Sequence, residues 1–462
     1  MKNKTKYFLL SIILFTINAK SQNDFVVGAD MSWLQQVEAG GGVFKENGIQ
    51  KDPLLILKQN GFTHIRLRIW NSPTNGINNL ANTLLMAKRI NQNGLKLFLD
   101  YHFSDTWADP GQQAIPSKWK NLPFDILKDS VKNFVFYTIS ELKKQGTLPS
   151  IVQFGNEIIC GMLWNQANVC GVYNTEPQWI KLSELLQSAH NGMLDAISPT
   201  EKIKTMIHID RGGNHNESKS FFDNLMKYYN SFDIIGLSYY PWWHGTIFAM
   251  NDNATKLATK FNKEIILAEI AYPFTLGWND NENNIVGSQN QLHAGYPATV
   301  DGQKNFLKDI TTKVKNLPQQ KGKGIVYWEP GGISAPQWTS PWENLALFGF
   351  DNEVLSSISV FKDSGLTFND EKIKIENYSL SQNFPNPFNP TTTIIYKLKE
   401  NNFTSLKVYD IFGKEISILI NEKQSAGNYK IEFNATNFAS GIYFYKLCSG
   451  NFIQTKKMMV VK

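Results

Sequence analysis

Hydrophobic and polar residues fall into alternating blocks from Phe25 onward. Short runs rich in β-branched and aromatic residues are separated by longer stretches with apolar positions at helical spacing. The short runs predict strands at Phe25–Ala29, His64–Ile69, Lys96–Tyr101, Ser150–Phe154, Lys204–Ile209, Asp233–Ser238, Glu264–Ala268 and Gly324–Trp328. The stretches between them predict helices at Asn79–Asn93, Asp125–Gln145, Glu176–Ile197, Asn216–Tyr229, Thr255–Phe261 and Gln303–Asn316. An earlier helix is bounded by Asp52-Pro53, an N-cap followed by Pro at the first helical position, and by Gly61 as its stop. Eight strand–helix units predict an α/β fold, a (β/α)8 TIM barrel with long loops. The alternative is an open doubly wound sheet, but no Gly-rich phosphate turn follows the first strand.

The pattern changes near Asp363. Residues 363–376 are polar and lysine-rich, a linker, and the barrel domain is expected to span 24–362. Asn383-Phe-Pro-Asn-Pro-Phe-Asn-Pro390 then excludes a helix. Beyond it Thr393–Leu398, Ser405–Tyr409, Tyr429–Phe433 and Ile442–Leu447 alternate with period two, and Gly413, Gly427 and Gly441 mark turns. Residues 377–462 are therefore expected to be a small all-β, sandwich-like module.

Charge changes the picture little. The formal net charge is +6, yet the first 23 residues carry four Lys and no acid, and 377–462 carry ten Lys against five acids. Residues 24–376 are left with 32 basic and 35 acidic side chains, which gives nucleic-acid binding little support. Lys2, Lys4 and Lys6 precede an apolar run from Tyr7 to Ile17 and the small residues of Ala19-Lys-Ser21. This predicts a signal peptide over 1–22 rather than a membrane anchor, since the run is short for a span. No later stretch has the length of a transmembrane helix, so the protein is expected to be secreted or at the cell surface, and a monomer. Cys160 and Cys170 lie close together and either staple one loop by a disulfide or remain separate thiols. Cys448 has no obvious partner.

Two strands end on a carboxylate. Ile151-Val-Gln-Phe-Gly-Asn-Glu157 and Ile265-Ile-Leu-Ala-Glu269 each deliver a Glu at the tip, where a barrel keeps its chemistry. A single such Glu reads as a surface charge. A pair suits a glycosidase, in which one carboxyl protonates the leaving oxygen and the other attacks the sugar. Twelve Trp leave some for stacking on sugar rings. Trp70, Trp107, Trp242, Trp243, Trp328 and Trp342 fall at or beyond strand tips and are candidates for a long cleft, with Trp328 as its floor. Arg66, Arg68 and Trp70 share one face of their strand. Arg68 is the candidate cation beside Glu269, and Arg66 reads as a buried structural ion pair. Tyr240 is placed to hold Glu269 by its hydroxyl. Asn156, Asp100, His102 and His208 are candidate partners of sugar hydroxyls, and Glu329 is a third tip carboxylate.

The segments Gly28-Ala-Asp-Met-Ser-Trp33, Gly61-Phe-Thr-His-Ile-Arg-Leu-Arg-Ile-Trp70, Leu99-Asp-Tyr-His-Phe-Ser-Asp-Thr-Trp-Ala-Asp-Pro-Gly111, Gly155-Asn-Glu157, Ala268-Glu-Ile-Ala-Tyr-Pro273 and Trp342-Glu-Asn344 resemble glycoside hydrolase family 53. The resemblance covers about Phe25 to Phe361. It implies an endo-β-1,4-galactanase acting on type I arabinogalactan, with Glu157 as general acid/base, Glu269 as nucleophile, and retention of configuration. A related mannanase or glucanase would use the same pair, and a barrel that only binds polysaccharide is the non-enzymatic alternative. No cofactor is expected for the chemistry. Bacterial members of the family carry a calcium-binding loop after strand seven. Trp278-Asn-Asp-Asn-Glu-Asn-Asn284 resembles it in part, with Trp278 at the first acidic position and Asp280 and Asn284 as candidate ligands. Tyr378-Ser-Leu-Ser-Gln-Asn-Phe-Pro-Asn-Pro-Phe-Asn-Pro390 and Gly441-Ile-Tyr-Phe-Tyr-Lys446 resemble the sorting domain of type IX secretion, which implies a secretion machinery as partner.

Overall fold

The structure, a computed structural model, describes residues 25–365, 378–400, 402–424 and 427–462. The expected leader, 1–22, and all but the first three residues of the expected linker lie outside the described residues. The chain divides into two compact units at Gly365/Leu366.

In the first unit eight strands form a closed barrel: β1 (Val26–Asp30), β2 (His64–Ile69), β3 (Lys96–Tyr101), β4 (Ile151–Phe154), β5 (Lys204–Ile209), β6 (Ile234–Tyr239), β7 (Glu264–Ile270) and β8 (Gly322–Trp328). Each pairs in parallel with its neighbours in chain order, and β8 closes on β1. The helices lie between successive strands, as the pattern requires. The helix expected over Asn216–Tyr229 ends at Leu225, and a larger difference lies ahead of β7. The helix ahead of β7 runs Ile247–Phe261, eight residues longer at its start than the sequence pattern indicates. Asn251-Asp-Asn253 reads as a loop, yet Asn253 is buried and donates to the carbonyls of Arg211 and Gly212, while Thr246 caps the start by accepting from Ala249 N.

Alternation along the strands sorts the barrel interior by height. A lower layer is apolar: Val26, Phe98, Ile151, Met206, Ile234, Ile266, Ala268 and Val326. Two residues further along their strands stand Asp100, Gln153 and His208, and four further, past Gly28 and Gly236, stand Asp30 and Ser238, all buried. The interior thus changes from hydrocarbon to hydrogen-bonding groups over one pleat, at the end where the βα loops open. Glycine makes room for this filling: a Cβ on Gly236 would meet the Met206 side chain at 2.7 Å.

The second unit is all-β, as expected. It holds β9 (Ser379–Leu380), β10 (Thr391–Leu398), β11 (Asn402–Tyr409), β12 (Glu415–Gln424), β13 (Gly427–Asn434), β14 (Gly441–Ser449) and β15 (Phe452–Val460). Antiparallel sheets of order β9-β10-β13 and β12-β11-β14-β15 contribute to one core that includes Leu380, Ile394, Tyr396, Leu406, Tyr445 and Met458. The sequence pattern misses β12, whose side chains are mostly exposed, and β15, where Lys456 and Lys457 interrupt the alternation. Among the described residues, no helix is long and apolar enough to cross a membrane.

Candidate active site

Glu157 and Glu269 reach the barrel mouth by different devices. After β4 the chain turns sharply: Gly155 has φ 84°, and Glu157 itself sits in the left-handed region at φ 49°. A non-glycine residue there stores roughly 1–3 kcal/mol of strain. The turn is tied by Gln113 Nε2, which donates to Asn156 O at 2.8 Å. Directly behind it Cys160 and Cys170 are joined in a disulfide, which anchors the loop that follows. Glu269 follows Ala268, an interior residue, so strict alternation would turn it outward. Instead the register between β6 and β7 shifts, pairing Leu237 with Leu267 but Ser238 with Glu269. This bulge lets two consecutive residues of β7 face inward.

The two carboxyls meet. One oxygen of each, with a ring nitrogen of His208, lie within 4.8 Å of one another. They open onto a cleft of about 460 Å³ whose lining includes Trp107, Asn156, Tyr240, Trp243, Trp328 and Trp342. A second cleft, of about 610 Å³, shares Trp107 with the first and is lined by Trp33, Trp70 and Trp338 among other residues. Trp242 lines neither, but its ring packs against Tyr240 and Trp342.

The pair is not symmetric. Glu269 Oε1 accepts from Arg66 Nη1 at 3.1 Å, and its Oε2 accepts from the Tyr240 hydroxyl at 3.0 Å. Among the described residues, Glu157 Oε1 has one hydrogen-bond partner, the Ser238 hydroxyl at 2.5 Å. Burial pushes both carboxyls above the usual carboxylate range, and for Glu157 the neighbouring charge of Glu269 adds to it. At Glu269 the Arg66 guanidinium opposes the rise. Two dedicated donors on Glu269, one of them a cation, against one shared hydroxyl at Glu157 make Glu269 the better carboxylate and Glu157 the better acid. Burial, followed by the charge of Glu269, holds the Tyr240 phenol well above its ordinary range, so it remains a donor.

The cation beside Glu269 is Arg66, not Arg68. Arg66 is 1% exposed and also binds Asp30 at 2.8 Å, Asp100 at 2.9 Å and the amide oxygens of Gln153 and Asn156. Burial works against its charge, and Asp100, Glu269 and Asp30 more than offset that. Arg68 has the right face but lies one pleat higher. There Glu329 takes its Nη2 at 2.7 Å, and its guanidinium lies 4.1 Å over the Trp107 ring. Glu329 also accepts from Trp33 N at 3.0 Å and does not line the cleft that holds Glu157 and Glu269.

Tyr240 lies where the sequence puts it. Asp100, His102 and His208 lie beneath the cleft and not on its lining. Asp100 binds Arg66 and His102, and His102 Nδ1 receives Trp70 Nε1 and Ala108 N. His208 sits between Asn156 and Ser238. Ser238, Gln153, Asp30 and Trp33 were not singled out from the sequence. Ser238 shares strand parity with Tyr240, which is the signal that would have found it.

Asp280 does not fit a metal-ligand role well, since its two oxygens accept from Glu282 N and Ser340 N. Asn284 Oδ1, in contrast, is buried without a partner, as is Glu343 Oε2 in the facing loop.

A closed barrel with two tip carboxyls in contact range, under an aromatic cleft, defines a glycoside hydrolase. Residues 26–361 match the profile of glycosyl hydrolase family 53, and the chain belongs to that family. Residues 382–462 match the secretion system C-terminal sorting domain. An uncharacterized protein of Niallia circulans is 42% identical, covering 73% of this chain and 93% of its own length. An arabinogalactan endo-β-1,4-galactanase of Thermothelomyces thermophilus is 31% identical, covering 72% and 98%. Among solved structures, the family 53 catalytic domain of Ignisphaera aggregans superimposes with a TM-score of 0.68 at 34% identity, covering 73% of this chain and 96% of that one.

Proposed function

We propose that this hydrolase is an exported, retaining endo-β-1,4-galactanase that cuts internal β-1,4-galactosidic bonds of type I arabinogalactan. Relatives named as galactanases support the substrate. The carrying observation is the approach of the two carboxyls to within 4.8 Å. Retaining enzymes hold their pair about 5–5.5 Å apart, whereas inverting enzymes leave about 6.5–9.5 Å for a water. In this reading Glu269 attacks the anomeric carbon while Glu157 gives its proton to the departing oxygen. Glu157 then removes a proton from the water that releases the sugar. The amide of Asn156 has one N–H on Ala108 O and a second available to a sugar hydroxyl. Residues 1–22 would direct export, and 377–462 would hand the protein to the secretion machinery after a linker at 363–376.

The anomeric form of the first product tests the reading. Proton NMR during galactan digestion should show β-configured reducing ends before mutarotation; α-configured ends would exclude retention. Parallel digests of galactan, mannan and glucan should release product from galactan alone.

The pH profile has a definite sign. Below its acid limb Glu269 is protonated and cannot attack. Above its basic limb Glu157 has lost the proton it must give. Because burial and Glu269 both raise Glu157, the basic limb of kcat/KM should lie at least about two pH units above an ordinary Glu at about 4.3. A basic limb near that ordinary value would remove Glu157 from the acid role.

We also assign calcium to the loop after β7, with Asn284 Oδ1 and Glu343 Oε2 as the hard oxygen donors. Chelation should then lower Tm by several degrees, with recovery on adding calcium and not magnesium. An unchanged Tm would exclude a bound ion.

A further inference from the structure

The hydrogen-bond partners of His208 determine which way a chain of protons runs, and that chain ends on Glu157. Asn156 fixes the first link. Its Nδ2 donates to Ala108 O at 2.9 Å and its Oδ1 accepts from Arg66 Nη2 at 2.9 Å. A flipped amide would set donor against donor at Arg66 and acceptor against acceptor at Ala108. His208 Nδ1 therefore faces an acceptor, Asn156 Oδ1, at 3.0 Å. Gln153 Nε2, 3.1 Å from the same ring nitrogen, has Gly155 O and Asn156 Oδ1 for its two hydrogens. Only the tautomer with hydrogen on Nδ1 leaves no two lone pairs face to face. Burial, followed by the charge of Arg66, holds the ring neutral, so Nε2 carries a lone pair.

That lone pair points at the Ser238 hydroxyl, 2.9 Å away. Ser238 has one hydrogen and two claimants, His208 Nε2 and Glu157 Oε1. When the hydrogen is on the histidine side, the 2.5 Å contact between Ser238 Oγ and Glu157 Oε1 needs a proton from Glu157. We propose that Ser238 and His208 form a two-position relay that keeps Glu157 protonated in the resting enzyme and donates to it once it has given that proton away. Neither residue touches the substrate; both are positioning residues.

The relay rests on the acid/base reading of Glu157 and adds a state to it. At rest, Glu157 donates to Ser238 and Ser238 donates to His208. In the first half-reaction the Glu157 proton goes to the glycosidic oxygen as the bond from that oxygen to carbon breaks and the Glu269–carbon bond forms. Ser238 then turns its hydrogen to the new carboxylate, and His208 Nε2 loses its partner. In the second half-reaction water gives a proton to Glu157 and its oxygen to carbon, Glu269 departs, and Ser238 turns back. Every proton is accounted for, and one hydroxyl rotation separates the two states.

Other charges bear on Glu157. Glu269 faces it from β7, Arg66 from β2, Asp109 from the loop after β3 and Tyr240 from the end of β6. Asp210 and Arg211, on the same cleft, are paired with each other. His244 is held low by burial and by Arg211, to about 4, so it is neutral at working pH. None of these groups accepts from Ser238.

The test is the basic limb of kcat/KM against pH. His208→Asn keeps a donor near the Nδ1 position but cannot reach Ser238, whose hydrogen then always serves the carboxylate. The basic limb should fall by roughly one pH unit, a tenfold loss of acid form at a fixed pH above it. His208→Gln restores an acceptor near Nε2 and should bring the limb back toward wild type. In a Ser238→Ala background, His208→Asn should cause no further shift. A lower kcat with an unmoved limb in His208→Asn would overturn the relay and leave the acid/base assignment standing. Should that variant fail to fold, infrared difference spectra of wild type minus Glu157→Gln at pH 6 decide the matter. The carboxylic-acid C=O band of Glu157 should be weaker when the same difference is taken in a Ser238→Ala background, and an equal or stronger band there overturns the relay. Full activity in Glu157→Gln would instead remove the acid/base reading itself.

Discussion

Glu269→Ala should lower kcat on galactan by roughly ten thousandfold or more, and sodium azide should restore part of it on an activated aryl galactoside. The loss corresponds to about 5.5 kcal/mol of barrier. Such a loss is expected because no nearby group can replace the carboxylate. Glu329 is held by Arg68 and Trp33, and Asp30 and Asp100 are bound to Arg66 below the cleft. Truncation leaves a carboxylate-sized gap next to a guanidinium and a phenol that have lost their anion. A small anion fits that gap in size and charge. The product should be the α-galactosyl azide, inverted because azide attacks from the side Glu269 occupied. Azide with Glu157→Ala should give the β-azide, since the anion then replaces water on the opposite face. Rescue of the same configuration in both variants, or in neither, would separate the pair from the chemistry assigned to it. Substrate binding should survive, because the aromatic lining of the cleft is untouched.

The sequence reveals the barrel more readily than it reveals the neighbours of the two carboxyls proposed for catalysis. Strand tips follow from short apolar runs, and tip position alone brings Glu157 and Glu269 into view. Parity would have discarded Glu269, since Ala268 holds the inward position on β7 and only the bulge admits the next residue. Parity also leaves Arg66 and Arg68 equivalent. Height along the barrel axis separates them, because Arg66 reaches up the barrel interior to Asp30, Asp100 and Glu269, whereas Arg68, one pleat higher, meets Glu329. Tip position favours Arg68 as the cation beside Glu269, whereas it is the deeper Arg66 whose side chain reaches that carboxyl. Ser238 escaped notice for a different reason: a serine in an apolar strand is commonplace, and its significance comes from His208 and Glu157, which lie 30 and 81 residues away in the chain. The missed start of the Ile247–Phe261 helix repeats that lesson, since Asn253 is polar in sequence but buried on backbone carbonyls.

Arg66→Met should cost about 3–5 kcal/mol of stability and move the acid limb of activity upward, two effects with one origin. Removing a single partner from a buried ion pair leaves an uncompensated charge, which is what sets that magnitude. Here three carboxylates lose their common cation at once, Asp30, Asp100 and Glu269. Some will take up protons instead, so the loss of stability should be greatest at high pH, where protonation is least favourable, and should shrink as pH falls. At Glu269 the sign is fixed by Arg66, which opposes the rise caused by burial. Without it the carboxyl holds its proton to higher pH and the nucleophile is lost first on the acid side. Arg66→Lys restores the charge but not the planar fork, which contacts five side chains together. It should recover part of the melting temperature and less of the activity, because one ammonium cannot hold Asp100, Asn156 and Glu269 in one geometry. Melting curves and kcat/KM profiles across pH check both halves. A destabilised Arg66→Met enzyme with an unmoved acid limb would make Arg66 a structural tie alone, and the ionised state of Glu269 would then rest on Tyr240.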